Sequence, residues 1–362
     1  MRKKFVIAGG GTGGHIFPAI AIANAIKAKK SDAIILFIGA KGKMEIEKVP
    51  QAGYPIKGID IAGFNRSSLI KNIVLPFKLI KSFFQVRRIF REFKPDTVIG
   101  VGGYSSFPVL RYAQQKGIDT FIHEQNSFAG KSNRLLGKRA VKVFLSTDGM
   151  EKFFPTDKVV LVGNPIRSVI SDSVITKEQG VSHFGLSTTK KVLLSIGGSL
   201  GAKSINEAIA SGLDKVIEHD IQLIWQTGKS FETRARQAAE HRSSVWVGAF
   251  IRDMEYALAA ADVVVSRAGA MSIAELCISG KPSIFVPYPF AAEDHQTVNA
   301  MKLVEKNAAW MVPDAEAGEK LIEKALELLA SEEKQKSFRS AMLANGIKNA
   351  DLLIANQILE TN

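Results

Sequence analysis

Three glycine-rich segments have the residue types and spacing of ligand-binding loops. The first glycine loop is residues 9–15 (GGGTGGH), the second is 100–106 (GVGGYSS) and the third is 197–202 (GGSLGA), and each follows an apolar run. Glycine lets the backbone approach a ligand closely, and a helix N-terminus offers free N–H groups and a positive dipole that suit a diphosphate. A tight strand-to-helix turn without ligand explains any one loop equally well. Three loops at strand ends favour binding, because open α/β sheets bind ligands outside the carboxyl ends of their strands.

The sequence lacks the usual motifs for binding a nicotinamide cofactor and for binding a metal, and its cysteine is poorly placed for a nucleophile. Residues 9–14 fit GxGxxG, but the acidic residue expected after the second strand is missing, since Ile38 is followed by Gly-Ala-Lys. The sequence contains no P-loop pattern, no HExxH and no histidine pair at i, i+4 spacing. Cys277, the single cysteine, lies in an apolar stretch that does not suit a nucleophile. We therefore predict no cofactor and no metal.

His15 is the residue best placed to act as a base. It follows the first glycine loop, where a helix is predicted to begin. The helix dipole disfavours the imidazolium, so the neutral ring can take a proton from a hydroxyl. A capping or solvent-exposed histidine is the alternative.

Other polar side chains follow further predicted strands. Residues 123–126 (HEQN) and Asn133 suit hydrogen bonding to a polyhydroxyl ligand, or alternatively loop capping. Arg167 can pair with a diphosphate or lie exposed in a linker. Glu275 can accept hydrogen bonds from the two hydroxyls of a ribose, or it can be a solvated helix residue. Asp294 can N-cap a helix.

Alternating apolar runs and helical patterns predict two doubly wound α/β domains. The predicted strands are continuous apolar runs, which are typical of parallel sheets covered on both faces: 5–8, 33–38, 97–101, 120–123, 141–145, 192–196, 222–225, 245–247, 263–265 and 283–286. The turn signal Gly-Asn-Pro at 163–165 indicates the boundary. We predict domains at 1–163 and 164–345 that face a cleft, and a helix at 346–362 that packs back on the first domain.

Composition and charge indicate a folded chain with an anionic partner. The chain has 362 residues, 46% hydrophobic and 23% charged, which excludes disorder, collagen and coiled coil as descriptions of the whole. One cysteine forms no internal disulfide, and no apolar run reaches the roughly 18 residues that span a bilayer. We predict a cytoplasmic location. The net charge of +13 calls for phosphates, nucleic acid or an anionic membrane.

Residues 64–94 concentrate the positive charge beside aromatic side chains. They hold eight Lys and Arg against one Glu, a net +7, together with six Phe. At helical spacing one apolar stripe faces the core, while Ile73, Phe77, Ile80 and Phe84 form a second stripe bordered by cations that include Lys81, Arg88 and Arg91. Such a patch is typical of docking on an anionic bilayer. Packing against another helix is the alternative, and nucleic acid leaves the second stripe unexplained.

Six segments of the sequence resemble the MurG-type bacterial glycosyltransferases. They are GGGTGGH, GVGGYSS, HEQNSFAGKSN, GNPIR, GGSLGAKSIN and SRAGAMSIAE followed by PSIFVPYPFAAEDHQTVNA. The resemblance runs from Phe5 to about Asn299, and the last sixty or so residues carry no diagnostic motif.

The resemblance implies a glycosyltransferase-B fold and an inverting transfer. N-acetylglucosamine would pass from UDP-N-acetylglucosamine to the 4-hydroxyl of the muramyl sugar of lipid I, giving lipid II and UDP. The reaction would take place at the cytoplasmic face of the bacterial inner membrane during peptidoglycan synthesis, with the protein bound peripherally. The membrane patch of such enzymes falls in the region of the second stripe.

The same resemblance assigns roles to individual residues. The donor would contact Thr12, Gly13, Gly14, Asn126, Arg167, Ser199, Ile251, Ala270, Met271, Ser272, Ile273, Ala274, Glu275 and Gln296. Glu275 would hold the ribose, and His15 would be the base or orient the acceptor. Tyr104, Ser105 and Asn133 would line the acceptor side. No undisputed catalytic carboxylate lies near the first glycine loop.

Two other functions fit the same residues. One is another nucleotide-sugar-dependent glycolipid glycosyltransferase, and the other is a non-enzymatic nucleotide-sugar-binding subunit. Two domains in one chain argue against the second. The expected partners are UDP-N-acetylglucosamine, lipid I and an anionic inner-membrane surface, with other cell-wall synthesis proteins as further candidates and without nucleic acid.

Overall fold

Two parallel β-sheets organise the chain, which the computed structural model describes over residues 2–63, 73–198 and 200–361. The N-terminal unit comprises residues 1–167 and 349–362, and the C-terminal unit comprises residues 168–348. The division falls after residue 167, a few positions beyond the Gly-Asn-Pro turn.

The N-terminal unit alternates strands and helices. Its elements are β1 (Lys4–Ala8), α1 (Gly13–Lys29), β2 (Ile34–Ala40), α2 (Glu45–Gln51), β3 (Ile56–Ile59), α3 (Leu75–Phe93), β4 (Thr97–Gly100), α4 (Ser106–Gln115), β5 (Asp119–Glu124), α5 (Lys131–Gly137), β6 (Lys142–Leu145) and β7 (Val159–Leu161). The strand order is β3-β2-β1-β4-β5-β6-β7, and every pairing is parallel.

The C-terminal unit repeats this pattern. Its elements are α6 (Ser168–Ser171), α7 (Lys177–His183), β8 (Lys191–Ile196), α8 (Lys203–Glu218), β9 (Ile221–Gln226), α9 (Glu232–Ala238), β10 (Val245–Gly248), α10 (Met254–Ala260), β11 (Val263–Ser266), α11 (Ala270–Ile278), β12 (Ser283–Phe285), α12 (His295–Glu305), β13 (Ala309–Met311), α13 (Ala317–Ala330) and α14 (Glu332–Asn345). The order β10-β9-β8-β11-β12-β13 is again parallel throughout.

Each sheet has a topological switch point where the strand order reverses. It lies between β1 and β4 in the first sheet and between β8 and β11 in the second. Ligands of open α/β folds bind in the crevice beside such a point. The first and second glycine loops follow β1 and β4, and the third glycine loop follows β8. All three loops therefore lie where the topology favours a site.

The predicted fold class, α/β with two Rossmann-like doubly wound units, is confirmed. All ten predicted strands are present, with ends shifted by one or two residues. Three strands were not predicted, namely β3, β7 and β13, and each lies at the edge of its sheet. β3 lacks a continuous apolar run, whereas β7 and β13 lie in the short apolar runs 159–162 (VVLV) and 308–312 (AAWMV), which the strand prediction overlooked.

A last helix, α15 (Ala350–Glu360), belongs to the N-terminal unit. Ile354, Ala355 and Ile358 are buried in the same apolar cluster as Ile16 and Ile22 of α1. The outer face carries Leu353, which is 40% exposed. The chain thus returns from the C-terminal unit to close the core behind α1.

We expect Ile354→Ala to destabilise the N-terminal unit selectively. Removing its buried side chain leaves a cavity that costs about 2–4 kcal/mol. All three tryptophans, Trp225, Trp246 and Trp310, lie in the C-terminal unit, so fluorescence reports that unit and far-UV circular dichroism reports both. Urea unfolding should show an earlier dichroism transition with the fluorescence transition in place.

The matched control is Leu353→Ala, on the exposed face of the same helix. It should shift neither transition by more than about 0.5 kcal/mol, as is usual for surface substitutions. Equal shifts in the two variants would contradict docking of α15 through Ile354.

Candidate functional site

Glycine backbones meet at the switch point of the N-terminal unit. A side chain at Gly103, whose φ is +84°, would place its Cβ 2.2 Å from the Gly10 carbonyl oxygen. A Cβ at Gly9 would lie 2.3 Å from Val101 Cγ2. Such distances are far inside van der Waals contact, so the first and second glycine loops touch through their backbones and admit no side chain between them.

His15 lies in the first turn of α1 and its ring is held beside the second glycine loop. Its Nδ1 lies 3.1 Å from the hydroxyl of Thr12, and a Cβ at Gly102 would lie 2.9 Å from its Nε2. When Nδ1 carries the proton and donates to the Thr12 oxygen, Nε2 is the basic nitrogen. The structure thus brings Thr12 and His15 together, as the motif GGGTGGH suggests.

A buried carboxylate organises the loop that follows β5. Glu124 accepts hydrogen bonds from Asn133 Nδ2 at 2.9 Å and from the backbone N–H groups of Asn126 and Gly130, each at 3.2 Å. Burial raises the pKa of Glu124, and these donors oppose that rise. The contacts match the loop-capping alternative, since Asn133 is buried and its amide is engaged by Glu124.

Two buried polar atoms near these loops have no hydrogen-bond partner in the described part of the chain. They are Ser105 Oγ and Gln125 Oε1. A Cβ at Gly102 would lie 3.4 Å from Gln125 Oε1, close to the His15 ring. Buried acceptors normally have partners, so these two atoms suit a bound hydroxyl. Gln125 belongs to the HEQN segment that the sequence indicates for hydrogen bonding.

Tyr104 forms an exposed wall of the second glycine loop. Its ring packs on Gly63, where a Cβ would lie 1.8 Å from Tyr104 Cζ, yet the side chain stays 54% exposed. Ser105, the next residue, is buried. The two acceptor-side candidates therefore differ in their access to a ligand.

The third glycine loop repeats the backbone contact in the C-terminal unit. A Cβ at Gly201, whose φ is +78°, would lie 2.0 Å from the Thr227 carbonyl oxygen. Gln226 Nε2 donates to the Gly198 carbonyl at 2.6 Å and holds the start of the loop. Ser199, predicted to contact the donor, lies outside the described residues.

Arg267 connects the end of β11 to several neighbouring segments. Its guanidinium donates to Asp314 Oδ1 at 2.5 Å, to the Val286 carbonyl at 3.0 Å and to Ser204 Oγ at 3.1 Å. It also lies over the Tyr288 ring. The arginine is thus a framework residue that orients the loop before α11 and the start of α8. The spacing of residues within its motif, SRAGAMSIAE, does not indicate these contacts, because the partners lie far away in the sequence.

Further donor candidates lie on α11 and on other segments of the C-terminal unit. Gly269 precedes the helix without a side-chain cap, and residues 270–275 form its first turns, with Glu275 half-buried. Gln296 accepts a hydrogen bond from the Tyr288 N–H at 2.9 Å. Ile251 is buried. Asp294 precedes α12 but accepts from the Thr297 hydroxyl at 2.7 Å rather than from a backbone N–H, so the simple N-cap prediction is wrong.

Comparison with known proteins accounts for both units. The model of the glycosyltransferase family 28 N-terminal domain matches residues 5–145, and that of the C-terminal domain matches residues 192–355. The chain belongs to glycosyltransferase family 28. It is 48% identical over 99% of its length, and over 96% of the relative, to a Phocaeicola vulgatus protein named UDP-N-acetylglucosamine--N-acetylmuramyl-(pentapeptide) pyrophosphoryl-undecaprenol N-acetylglucosamine transferase.

Other similar proteins carry the same description. A Cytophaga hutchinsonii protein of that name is 47% identical over 99% of this chain and 96% of its own. Among solved structures, MurG of Acinetobacter baumannii superposes with a TM-score of 0.78 at 26% identity and covers 99% of both chains. The resemblance read from the six sequence motifs is confirmed.

This family 28 chain carries an exposed apolar stripe on α3 and the turn just before it. Ile73, Phe77, Ile80 and Phe84 are 67%, 72%, 57% and 66% exposed, while Val86 and Phe90 are buried on the opposite face. Lys81 pairs with Asp60 at 3.0 Å, and Arg88 pairs with Glu92 at 3.1 Å. Those two cations are therefore partly offset. Arg91 lies exposed on the same helix, and residues 64–72 of the basic region lie outside the described part.

The described residues contain neither a membrane-spanning helix nor a metal-binding cluster. No described helix combines the length and hydropathy needed to cross a membrane. Within the same ranges, no group of His, Cys, Asp and Glu side chains has a geometry that could hold a metal ion.

His123 gives this family 28 chain a predictable pH dependence of stability. Burial lowers its pKa from 6.5 to about 4. In the neutral ring Nε2 donates to the Gly163 carbonyl at 3.0 Å and Nδ1 accepts from Gln125 Nε2 at 3.2 Å. As the pH falls below 6.5, His123 becomes protonated in the unfolded chain, whereas in the folded chain it stays neutral down to about pH 4. The free energy of unfolding therefore falls as the pH falls through this window.

We expect His123→Gln to remove that loss, which amounts to about 3 kcal/mol between pH 6.5 and 4. The measurement is urea unfolding followed by far-UV circular dichroism at pH 4 to 7. His241→Asn, at a side chain that is 92% exposed, is the control and should follow the parent. Parallel pH curves for the parent and His123→Gln would contradict the assignment.

Proposed function

We propose that this protein transfers N-acetylglucosamine from UDP-N-acetylglucosamine to the 4-hydroxyl of the muramyl sugar of lipid I, yielding lipid II and UDP with inversion. The observation that carries the proposal is the shared name of relatives that are 45–49% identical over 92–99% of the chain. The described loops supply groups that suit this chemistry.

The C-terminal unit suits the donor nucleotide. The third glycine loop leads into α8, and the uncapped start of α11 offers further backbone N–H groups to an anion. Ser199 and Arg167 are proposed to stabilise the diphosphate as it leaves, and Glu275 to hold the ribose diol. The proposed contacts also include Ile251, Gln296 and residues 270–274.

The N-terminal unit suits the acceptor hydroxyl. We assign the base to His15, because Thr12 orients its ring and the start of α1 favours its neutral form. Gly13, Gly14 and Asn126 are proposed to contact the donor sugar. Tyr104, Ser105 and Asn133 keep their proposed acceptor-side role, with Asn133 acting through Glu124.

Replacing His15 should stop turnover without unfolding the protein. We expect His15→Ala to lower kcat by about 10²–10⁴-fold, the usual contribution of a general base. The assay follows radiolabelled UDP-N-acetylglucosamine into lipid II with purified lipid I. His241→Asn is the control at an exposed histidine.

The outcomes separate the function from the base assignment. No labelled lipid II from the parent protein would contradict the function. Full activity of His15→Ala in a parent that turns over would mean that the base lies elsewhere.

The exposed stripe of α3 is proposed to dock on the anionic cytoplasmic face of the inner membrane. Its four apolar side chains lie next to a basic segment, and together these favour peripheral binding. Such binding would deliver the lipid-linked acceptor without a spanning helix.

Phe77→Glu with Phe84→Glu should abolish most sedimentation with anionic liposomes, because the change replaces apolar side chains that would enter the bilayer with negative charges that the lipid headgroups repel. UDP binding should stay unchanged. The control is Val174→Glu with Leu343→Glu, two exposed apolar positions elsewhere that add the same charge. Equal sedimentation of both double variants would contradict the proposed surface.

A further inference from the structure

Glu45 is a buried carboxylate at the start of α2 that touches the first glycine loop. It is 1% exposed. Its Oε2 accepts a hydrogen bond from the Gly11 N–H at 2.9 Å, and its Oε1 accepts one from the Ala40 N–H at 2.9 Å. Within the described ranges no Lys or Arg lies within ion-pair distance of it, so backbone N–H groups provide its observed compensation.

Two glycines make room for this side chain. A Cβ at Gly10 would lie 2.2 Å from Glu45 Oε1, and a Cβ at Gly39 would lie 2.4 Å from Glu45 Cγ. The carboxylate therefore fills the space that side chains at both positions would occupy. It connects the turn after β1 to the end of β2.

The first glycine loop needs such a support. Gly10 and Gly11 have φ values of +149° and +92°. Glycine loses more backbone conformational entropy than any other residue when it is held in one conformation. A hydrogen bond from a backbone N–H to a carboxylate is stronger than one between neutral groups. The residue after Gly11 is Thr12, whose hydroxyl contacts His15.

We propose that Glu45 is a positioning residue for the transfer reaction. It acts as an internal anion that holds Gly11, and through Gly11 it sets Thr12 and the ring of His15. The inference rests on the proposed role of His15. Because the Gly11 N–H is already engaged by a carboxylate, this loop disfavours a second anion at that N–H and suits a neutral hydroxyl.

The experiment compares Glu45→Gln with Glu47→Gln in the lipid I assay. Gln keeps the shape of Glu45 but can accept from only one of the two N–H groups, since its amide nitrogen faces the other. We expect kcat to fall at least about tenfold, the rate equivalent of one lost hydrogen bond to a charged group. The nucleotide of the donor is proposed to bind the C-terminal unit, so the Kd for UDP should stay within about threefold of the parent value.

Glu47 is the matched control, two residues along the same helix. Its side chain is 69% exposed, accepts a hydrogen bond from Gln51 Nε2 at 3.1 Å and pairs with Lys48 at 3.5 Å, both on its own helix. Glu47→Gln should retain the parent kcat. Rates are expressed per UDP-binding site, so that loss of folded protein does not count as loss of activity.

A second readout separates positioning from stability. In Glu45→Ala, added formate should restore part of kcat in a saturable manner, because a free carboxylate can accept a hydrogen bond from the Gly11 N–H. Formate should leave the kcat of the parent unchanged.

If Glu45→Gln does not fold, Glu45→Asp replaces it. Asp keeps the charge but is one methylene shorter, and the variant is judged by the same kcat criterion.

An unchanged kcat per UDP-binding site in Glu45→Gln or Glu45→Asp would overturn the proposal, whatever the change in melting temperature. Failure of the proposed function looks different, because the parent protein itself would then form no lipid II. An inactive His15→Ala beside a fully active Glu45→Gln would overturn only the role of Glu45.

Discussion

Close backbone contact at glycines is the constraint on which the loops of both units depend. Gly103 lies against Gly10 in one unit and Gly201 against Thr227 in the other, and neither contact leaves space for a Cβ. The first contact joins the loops after β1 and β4 at the switch point of its sheet, and the second joins the loops after β8 and β9 beside the switch point of the other. Polar side chains at the helix starts, such as Thr12 and His15, then stand at the rim of a rigid turn.

Several polar groups that suit a ligand bind the protein's own loops instead. Glu124 holds the loop after β5, Glu45 holds the first glycine loop, and Arg267 joins Asp314, Ser204 and two carbonyls. Buried charge of this kind needs several hydrogen bonds to be tolerated, and those bonds fix the loop in return. The groups left for substrate are therefore few, and their positions depend on residues that do not touch it.

The central strands and the glycine loops could be predicted from the sequence because each has a local signature. β1 and β8 are short apolar runs that end in glycine, and these signals survive without tertiary information. The edge strand β3 could not, because its four residues (IKGI) carry no such run, whereas β7 and β13 lie in short apolar runs that were overlooked. Glu45 was missed for another reason. It reaches Gly11 across 34 positions, so the contact has no sequence spacing.

Hydrogen–deuterium exchange with and without UDP tests most directly the division of tasks between the two units. UDP lacks the transferred sugar, so it should slow exchange in peptides that cover residues 197–202 and 267–275 of the C-terminal unit. Exchange in residues 9–15 should stay at its apo level, since the Gly11 N–H is already bonded to Glu45. Protection centred on residues 9–15, with none in the C-terminal peptides, would contradict donor binding by the C-terminal unit.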